Sequence, residues 1–429
     1  MKSNRVIAWS CCKIQVMKPK ATTPKRAPYG SKQICLPFDS EAHYENCVND
    51  LAQYRAHLTN WMQRHPALFP KAMQAGYRFH AQYRSRKQNL TLRRVKVVEN
   101  GAVFTLRPSF VTPWLTARTA DVEKALYLRH WGVLFEALAY CCGRDPMFWY
   151  RAELQFGRPN LVGTTVKDAA ALPRDLVADE KITWLNKAEL CLPTIAAAGC
   201  LLGISVATET TGAAFQAAYG EFAQETAAVF SDYQPQSVCT DGFRATRWAW
   251  LQLYPRICLV LCFLHGVLKL RERCKNALRK QVLDRVWHIY EGTDRRQFRQ
   301  RLRRFHEWSQ QHLEGALLTM AQKLWERGAD YARAYDCPTA ARTSNGVDRL
   351  LNHLDRVLYA MRYGHGTKES LRWMVRAAAL HWNFHPYGTR LRRDQPERQS
   401  PFADLNGFQY HENWLHNFYI ASSMGGLRP

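Results

Sequence analysis

The order of the short apolar runs after residue 175 most constrains what this chain can fold into. Three runs follow one another closely, LVADEKITWL, CLPTIAAAG and CLLGISVA, and their spacing predicts an antiparallel meander. Next come a helix (GAAFQAAYGEFAQETAAVF), a strand (SVCTD), a helix (RATRWAWLQLY) and a strand (ICLVLCFLH). Three strands followed by alternating helix and strand predict an α/β fold.

Three acidic residues stand at special places in this pattern. The element order is that of a ribonuclease H-like core, which has one acid on its first strand and one at the end of its fourth. Asp179 and Asp241 occupy those positions, and Asp348 lies on an amphipathic helix in RTSNGVDRLLNHL. Carboxylates from two strands and a helix can converge on a pair of divalent metals, which is the chemistry of phosphodiester cleavage and transfer.

Each acid also has a simpler structural interpretation. A lone Asp at a strand end, such as Asp241, is more often a helix cap than a ligand. Asp348 would suit the first turn of a helix without any catalysis, and the sequence leaves Asp355 and Glu369 open as third ligands. Glu180 follows Asp179, and because neighbours on a strand point to opposite faces, only one of the two can face the site.

Composition predicts a polyanionic partner. The 429 residues include 60 Lys and Arg against 36 Asp and Glu, for a formal charge of +24, so nucleic acid is the first expectation and an anionic membrane surface the second. No apolar run has transmembrane length, and no signal peptide is recognisable. The thirteen cysteines are scattered and odd in number, which favours reduced thiols and a soluble, intracellular protein.

The chain divides into five predicted parts. Residues 1–38, which contain no Asp or Glu, are expected to be a disordered basic arm. A mainly helical DNA-binding region is predicted over 39–165, followed, after a linker rich in Gly and Pro, by a catalytic core over 166–268 and 338–390. A helical insertion is expected over 269–337 and a loop-like tail over 391–429, whose aromatic pieces pack back on the core.

Two features of the N-terminal region point to DNA. Three short helices over 121–156, with Gly132 and Gly143 between them, are compatible with a helix-turn-helix. Upstream, basic residues alternate with Tyr77, Phe79 and Tyr83 in a composition suited to phosphate contact and base stacking; a solvated helix face is the alternative. The predicted DNA-binding residues are Arg84, Arg86, Lys87, Arg93, Arg94 and Lys96. The arginine run TDRRQFRQRLRRFHEW could clamp DNA or be a solvated helix face.

Cys262 and His265 form a C-x-x-H pair at the predicted end of the strand after Asp241. Separately, a buried apolar cysteine and a satisfied core histidine would be the ordinary interpretations. Together with Cys258 they also permit a zinc-dependent nucleic-acid-binding module, although no fourth ligand is evident.

Taken together, these residues resemble the DDE-type transposases of bacterial insertion sequences, in the branch related to the Mutator group. The similarity covers about residues 170 to 390. It comprises a strand-borne Asp179, TDG with Asp241, the C-x-x-H pair, a helical insertion and TSNxxD followed by Arg-Leu. The trailing WNFHPYG is similar to the end of that domain. One departure is that most of the family has Glu where Asp348 stands here.

The resemblance implies a two-metal mechanism in which Asp179, Asp241 and Asp348 hold Mg²⁺ or Mn²⁺ and act as the catalytic residues. Water would nick the element end, and the freed 3′-hydroxyl would attack target DNA. Cys262 and His265 would be structural or strand-positioning residues. The implied partners are terminal inverted repeats and target DNA, bound by a homodimer or higher oligomer in the bacterial cytoplasm, at the nucleoid. The main alternative is a catalytically inactive, domesticated DNA-binding regulator derived from a transposase.

Overall fold

The computed structural model describes residues 28–274 and 276–428. Two mixed β-sheets and many α-helices make up this part of the chain, so the prediction of an α/β fold is confirmed. No helix in these two ranges is both long enough and apolar enough to cross a membrane.

The first sheet contains β1 (Gln33–Leu36), β2 (Tyr77–Ser85), β3 (Leu90–Val97) and β4 (Val103–Pro108). Its order is β1-β4-β3-β2, with β1 parallel to β4 and the other neighbours antiparallel. On β3 the apolar residues, among them Leu90 and Leu92, are buried and alternate with polar ones, as expected of a strand with one face in the core. In contrast, β2 is an edge strand and buries none of its residues.

This sheet corrects two predictions about the N-terminal part. The prediction that residues 39–165 are mainly helical is wrong for β2, β3 and β4. On an edge hairpin, long basic side chains reach solvent from either face, so the sequence shows no clear alternation of apolar and polar residues. The disordered arm expected over 1–38 is wrong for β1, whose Ile34, Cys35 and Leu36 are buried. Residues 1–27 of that predicted arm lie outside the described residues.

Three helices accompany the first sheet: α1 (Glu41–Asn49), α2 (Leu51–Arg64) and α3 (Lys71–Gln74), with a 3-10 turn at Pro66–Leu68. Ser40 and Asp50 cap the first two through side-chain hydrogen bonds to backbone N–H groups. The Tyr44 hydroxyl of α1 donates to the carbonyl of Thr91 over 2.8 Å, which joins the helix to β3.

The three helices predicted over 121–156 are confirmed as α4 (Thr119–His130), α5 (Phe135–Cys142) and α6 (Pro146–Phe156). A buried ion pair between Arg129 and Glu153 joins α4 to α6. The linker predicted after them is wrong in part, because α7 (Leu161–Thr165) is a fully buried helix. Next to it, the buried Lys167 Nζ donates to the carbonyls of Gly163 and Ala421 over 2.6 and 2.5 Å.

The second sheet contains the predicted meander and the two later strands. These are β5 (Asp175–Leu185), β6 (Ala188–Ala197), β7 (Cys200–Ile204), β8 (Ser237–Thr240) and β9 (Cys258–Leu261). Their order is β7-β6-β5-β8-β9; the meander β5-β6-β7 is antiparallel, β8 is parallel to β5, and β9 is parallel to β8. The connections are α8 (Gly212–Ala227) and α9 (Arg244–Leu253), both where the sequence predicted helices.

A helical segment follows β9, as predicted, but begins earlier than residue 269. It consists of α10 (Phe263–Arg273), α11 (Asn276–Tyr290), α12 (Arg295–His312), α13 (Gly315–Glu326) and α14 (Gly328–Ala332), with a 3-10 turn at Arg333–Tyr335. These helices bury a hydrophobic cluster of their own, including Phe298, Leu302 and Phe305 of α12.

The chain then returns to the sheets through α15 (Asn345–Ala360) and α16 (Lys368–Phe384). The Asn383 amide of α16 pairs with both the N–H and the carbonyl of Leu201 over 2.8 Å, and so covers the free edge of β7 as another strand would. At Gly157 an added Cβ would lie 1.9 Å from the carbonyl oxygen of Trp373, because α6 and α16 meet closely there.

The tail is helical rather than loop-like: α17 (Thr389–Asp394), α18 (Pro401–Asn406), α19 (Trp414–Ala421) and a final turn at Ser423–Gly426. Its aromatic side chains Phe402, Trp414 and Phe418 are buried, which confirms that the tail packs on the core. The Ser423 hydroxyl accepts a 3.0 Å hydrogen bond from the Cys35 N–H of β1, so the two ends of the described chain meet.

Candidate functional site

Asp179 on β5 and Asp241 directly after β8 are neighbours across the parallel pair of these two inner strands. In the parallel pairing of β5 with β8, Val177 is opposite Cys239. Asp179 and Asp241 each follow this pair by two residues, so their side chains leave the sheet side by side. Both are partly buried.

Asp241 stands in a turn that requires glycine. Its Oδ1 accepts the N–H of Phe243 over 2.7 Å, which fixes the turn before α9. Gly242 has φ +87, and a Cβ there would lie 2.3 Å from Leu261 Cδ1. Asp241 therefore stabilises the turn and does not cap α9, whose N-cap residue is Phe243. The other oxygen of Asp241 has no hydrogen-bond partner in the described part of the chain.

The third acid comes from the first turn of α15, as predicted. Asp348 is partly buried and makes no hydrogen bond or ion pair with any described residue. The two alternatives are engaged elsewhere: Asp355 pairs with Lys181 at 2.7 Å, and the exposed Glu369 lies 3.9 Å from Arg372. Of the three acids the sequence left open, Asp348 is thus the one that faces Asp179.

The pKa values show that these acids share one neighbourhood. Burial is the main reason that the pKa of Asp179 is raised, to about 6; the Glu180 N–H and His265 oppose the increase, and the charges of Asp241 and Asp348 add to it. Burial also raises the pKa of Asp348, and His265 again opposes. The charges of Asp241, Asp348 and His265 therefore all act on Asp179.

Glu180, the neighbour of Asp179 on β5, is a partly buried acid whose partners the sequence did not indicate. It accepts hydrogen bonds from the Tyr219 hydroxyl over 2.5 Å and from the Thr246 hydroxyl. Burial raises its pKa to about 7. Its helical partners, Tyr219 on α8 and Thr246 on α9, carry no sequence signal that would connect them to β5.

Cys262 lies at the end of β9, as predicted, whereas His265 does not. β9 ends at Leu261, Cys262 precedes α10, and His265 is in the first turn of that helix. The ladder does reach one residue further, since the Cys262 N–H donates to the Thr240 carbonyl over 2.7 Å. The prediction was wrong for His265 because this helix begins with apolar residues that continue the strand pattern.

The Cys262 sulfur joins β9 to α15. Its Sγ accepts the N–H of Ser344 over 3.1 Å and lies 3.2 Å from the Ser344 hydroxyl. The neighbouring Cys239, His265 and Ser344 lower the pKa of the Cys262 thiol despite its burial. The adjacent Cys262 in turn raises the pKa of His265 to about 9, assisted by the carboxylates of Asp179 and Asp241. Cys262 and His265 therefore affect each other's titration, and His265 also responds to the two acids.

The donor set suits a hard divalent cation in its chemistry. Asp179, Asp241 and Asp348 have no Lys or Arg within ion-pair distance among the described residues, and oxygen is what Mg²⁺ and Mn²⁺ take as ligand. As placed, no group of three or more His, Cys, Asp or Glu side chains in the described ranges is arranged to hold a metal ion. This applies equally to the zinc set of Cys258, Cys262 and His265, and the Cys258 sulfur instead approaches the Arg333 carbonyl at 3.7 Å.

The predicted DNA-binding residues lie on a β-hairpin, not on a helix face. Arg84, Arg86, Lys87 and Arg94 are exposed on β2, β3 and the turn between them. The Arg94 guanidinium lies 4.6 Å above the Tyr83 ring. Arg93 instead points inward to the Val48 carbonyl, and Lys96 is half-buried.

The two other predicted DNA elements differ in accessibility. On α6, side chains such as Trp149 and Phe156 are buried against the rest of the fold, whereas Met147 and Arg151 are exposed. α12 buries one apolar stripe and exposes a basic face with Arg296 and Arg299.

Comparison of the whole chain with protein-family models and with curated proteins finds no match.

Proposed function

We propose that this protein is a DNA transposase that binds terminal inverted repeats and catalyses metal-dependent strand cleavage and strand transfer. The observation that carries the proposal is the neighbouring placement of Asp179 and Asp241 on the parallel pair β5 and β8, with the charge of Asp348 close enough to raise the pKa of Asp179. The sheet order, an antiparallel meander continued by two parallel strands, supports a ribonuclease H-like core for this domain. The helical segment between β9 and α15 would be its insertion.

In this proposal Asp179, Asp241 and Asp348 hold Mg²⁺ or Mn²⁺, which when bound supplies a polarised phosphate and an activated hydroxyl. Asp179 and Asp241 are set by the strands and by the Gly242 turn. Asp348 is set by α15, whose start is fixed to β9 through Ser344 and Cys262. His265 would limit the mutual repulsion of the carboxylates when it is protonated, since it lowers the pKa of both Asp179 and Asp348.

DNA binding would use the hairpin of β2 and β3. A two-stranded β-ribbon fits the major groove, and the exposed arginines and Lys87 near its tip are suited to phosphate contact. The β2 edge is exposed along its length, so the ribbon is accessible to a duplex. Two element ends must be brought together during transposition, for which a dimer is the simplest arrangement.

One other function is supported by a specific observation. The hairpin lies on the first sheet, away from the acids, so a regulator that binds DNA without cutting it would need only the N-terminal region. The shorter Asp348 side chain, where most relatives of the resembled family have Glu, favours this alternative.

The test separates binding from cleavage. On a duplex carrying the flanking inverted repeat, the wild-type protein should nick DNA only with Mg²⁺ or Mn²⁺. Asp241→Asn should lower the cleavage rate by at least about 100-fold while leaving the dissociation constant nearly unchanged. Cleavage by Asp241→Asn at the wild-type rate would reject the proposal, and binding without any cleavage by the wild type would favour the regulator.

A further inference from the structure

A cleft of about 560 Å³ opens directly from the candidate site. Asp241 and His265 lie at its inner end, and α10 and α13 of the helical segment form its walls. The remaining lining residues are Gly266, Lys269, Glu272, Arg273, Met320, Lys323, Leu324, Glu326, Arg327 and Tyr331. Whatever occupies this cleft lies beside the acids.

Four cations line the cleft: Lys269, Arg273, Lys323 and Arg327, all of them exposed. Within the described residues none of the four makes an ion pair or a side-chain hydrogen bond, although Glu272 and Glu326 also line the space. Ion pairs elsewhere in the described ranges, such as Arg372 with Glu221 and Arg398 with Asp404, show that carboxylates do engage cations in this fold. These four charges are thus available to an anion.

One of these four charges, that of Arg327, lies close to the turn after Asp241. A Cβ built on Gly242, the residue after Asp241, would lie 3.7 Å from Arg327 Nη1. The neighbouring ion pair between Arg247 and Asp330, at 3.2 Å, holds the helical segment against α9 at this point. The guanidinium therefore lies beside the turn that carries Asp241.

The floor of the cleft is apolar. Met320, Leu324 and Tyr331 form it, and the last two are buried. α10 approaches this floor at Gly266, where an added Cβ would lie 2.9 Å from Tyr331 Oη and 3.0 Å from Leu324 Cδ1. A flat apolar ring could rest on this surface while an attached phosphate reached the cations at the rim.

We propose that this cleft binds an unpaired DNA strand next to the cleaved bond, a role that rests on the proposed function. Phosphates lie against Lys323, Arg327, Lys269 and Arg273, and a base packs on Leu324 and Tyr331. The volume is in the range of single-ligand sites. The cleft is too small to hold a DNA duplex, in which the major groove by itself is about 12 Å wide.

The experiment uses the full chain without metal and a fluorescein-labelled oligothymidylate of about twelve nucleotides, with a duplex of the same length beside it. Fluorescence anisotropy gives the dissociation constants over a range of salt concentrations. The variant Lys323→Ala/Arg327→Ala removes two cations from the cleft. Its matched control, Arg390→Ala/Arg393→Ala, removes two highly exposed cations from α17.

We expect the cleft variant to bind oligothymidylate about tenfold more weakly and to lose about 0.7 of salt slope per phosphate contact. Duplex binding should change no more than in the control. The inference is overturned if the wild type does not bind oligothymidylate, or if the cleft variant and the control lose affinity equally. Strand binding that depends on Lys323 and Arg327, in a protein that never nicks DNA, would support the cleft and reject the transposase.

Discussion

The Sγ atom of Cys262 accepts a hydrogen bond from the backbone N–H of Ser344 over 3.1 Å. Cys262 directly follows β9, and Ser344 directly precedes α15, so one sulfur connects the sheet to the helix that carries Asp348. The N–H groups at the start of a helix lack partners within the helix, and here a thiol supplies one. Cys262 thus helps to position Asp348, which lies 86 residues further along the chain, without contacting it.

Cys262→Ala should lower the free energy of unfolding by about 1–3 kcal/mol, because it leaves the buried Ser344 N–H without an acceptor. Cys262→Ser should recover part of the loss, since its oxygen can accept the same bond. Urea unfolding measures both, with the exposed Cys141→Ala as control. An equal loss in the Ala and Ser variants would show that packing volume, and not the hydrogen bond, is what matters.

Asp355→Asn should leave metal-dependent cleavage at the wild-type rate. Asp355 is about half-exposed and its carboxylate is occupied by Lys181, so the substitution removes only a surface ion pair worth less than about 1 kcal/mol. Single-turnover cleavage measures the rate, with Lys181→Met as the matched partner variant. A rate reduced as strongly as in Asp348→Asn would make Asp355 the third acid instead.

Four buried histidines should make the fold sensitive to acid. The rings of His130 and His385 stack at 3.7 Å, and those of His130 and His353 at 4.4 Å. Burial lowers the pKa of all four, including His381, and brings that of His353 and His385 to about 4.

The folded pKa lies below the unfolded value near 6.5, so these histidines contribute their full stability above about pH 6.5. The contribution falls as the pH drops toward 4, by on the order of 3 kcal/mol for His385. The folded pKa values of Asp179 and Glu180 are raised, so their contribution to stability increases as the pH falls, opposite to that of the histidines. Both acids are present in every variant compared, so their effect cancels. His385→Phe should flatten the pH dependence of unfolding, while His80→Phe on exposed β2 should not. Identical pH profiles for the wild type and His385→Phe would contradict this assignment.

Arg129→Met should destabilise the fold by about 3–5 kcal/mol, because it leaves the Glu153 carboxylate buried and unpaired between α4 and α6. Arg129→Met/Glu153→Met should recover most of that loss, since the buried charges disappear together. Chemical denaturation measures both variants against Arg151→Met, which changes an exposed arginine of α6. A double variant no more stable than the single one would show that the pair is net stabilising.

Local sequence patterns predicted the second sheet well. The five strands of the second sheet and the three helices over 121–156 have regular apolar spacing and clear Gly or Pro breaks, and they lie where predicted. The hairpin of β2 and β3 was harder to recognise, because β2 is polar on both faces and its register shifts between Phe79 and Ala81. Alternation in LTLRRVKV was the available signal.

The site also depends on contacts between residues that are far apart in the sequence. Asp179 and Asp241 could be paired in advance, since parallel strands end at one edge. The hydrogen bond from Ser344 to Cys262, the Tyr219 and Thr246 bonds to Glu180, and the approach of Arg327 to Gly242 all join elements far apart in the chain. Only the packing of the helical segment and α15 against the sheet brings them together.

Single-turnover cleavage of the inverted-repeat duplex in Mg²⁺ by Asp348→Asn, compared with the wild type, tests the central claim most directly. Asp348 is the acid on which the proposed site departs from the family it resembles, and it has no other partner among the described residues. We predict a rate at least about 100-fold below the wild-type rate, with DNA binding and thermal unfolding unchanged. Cleavage by Asp348→Asn at the wild-type rate would contradict the claim that Asp179, Asp241 and Asp348 act together.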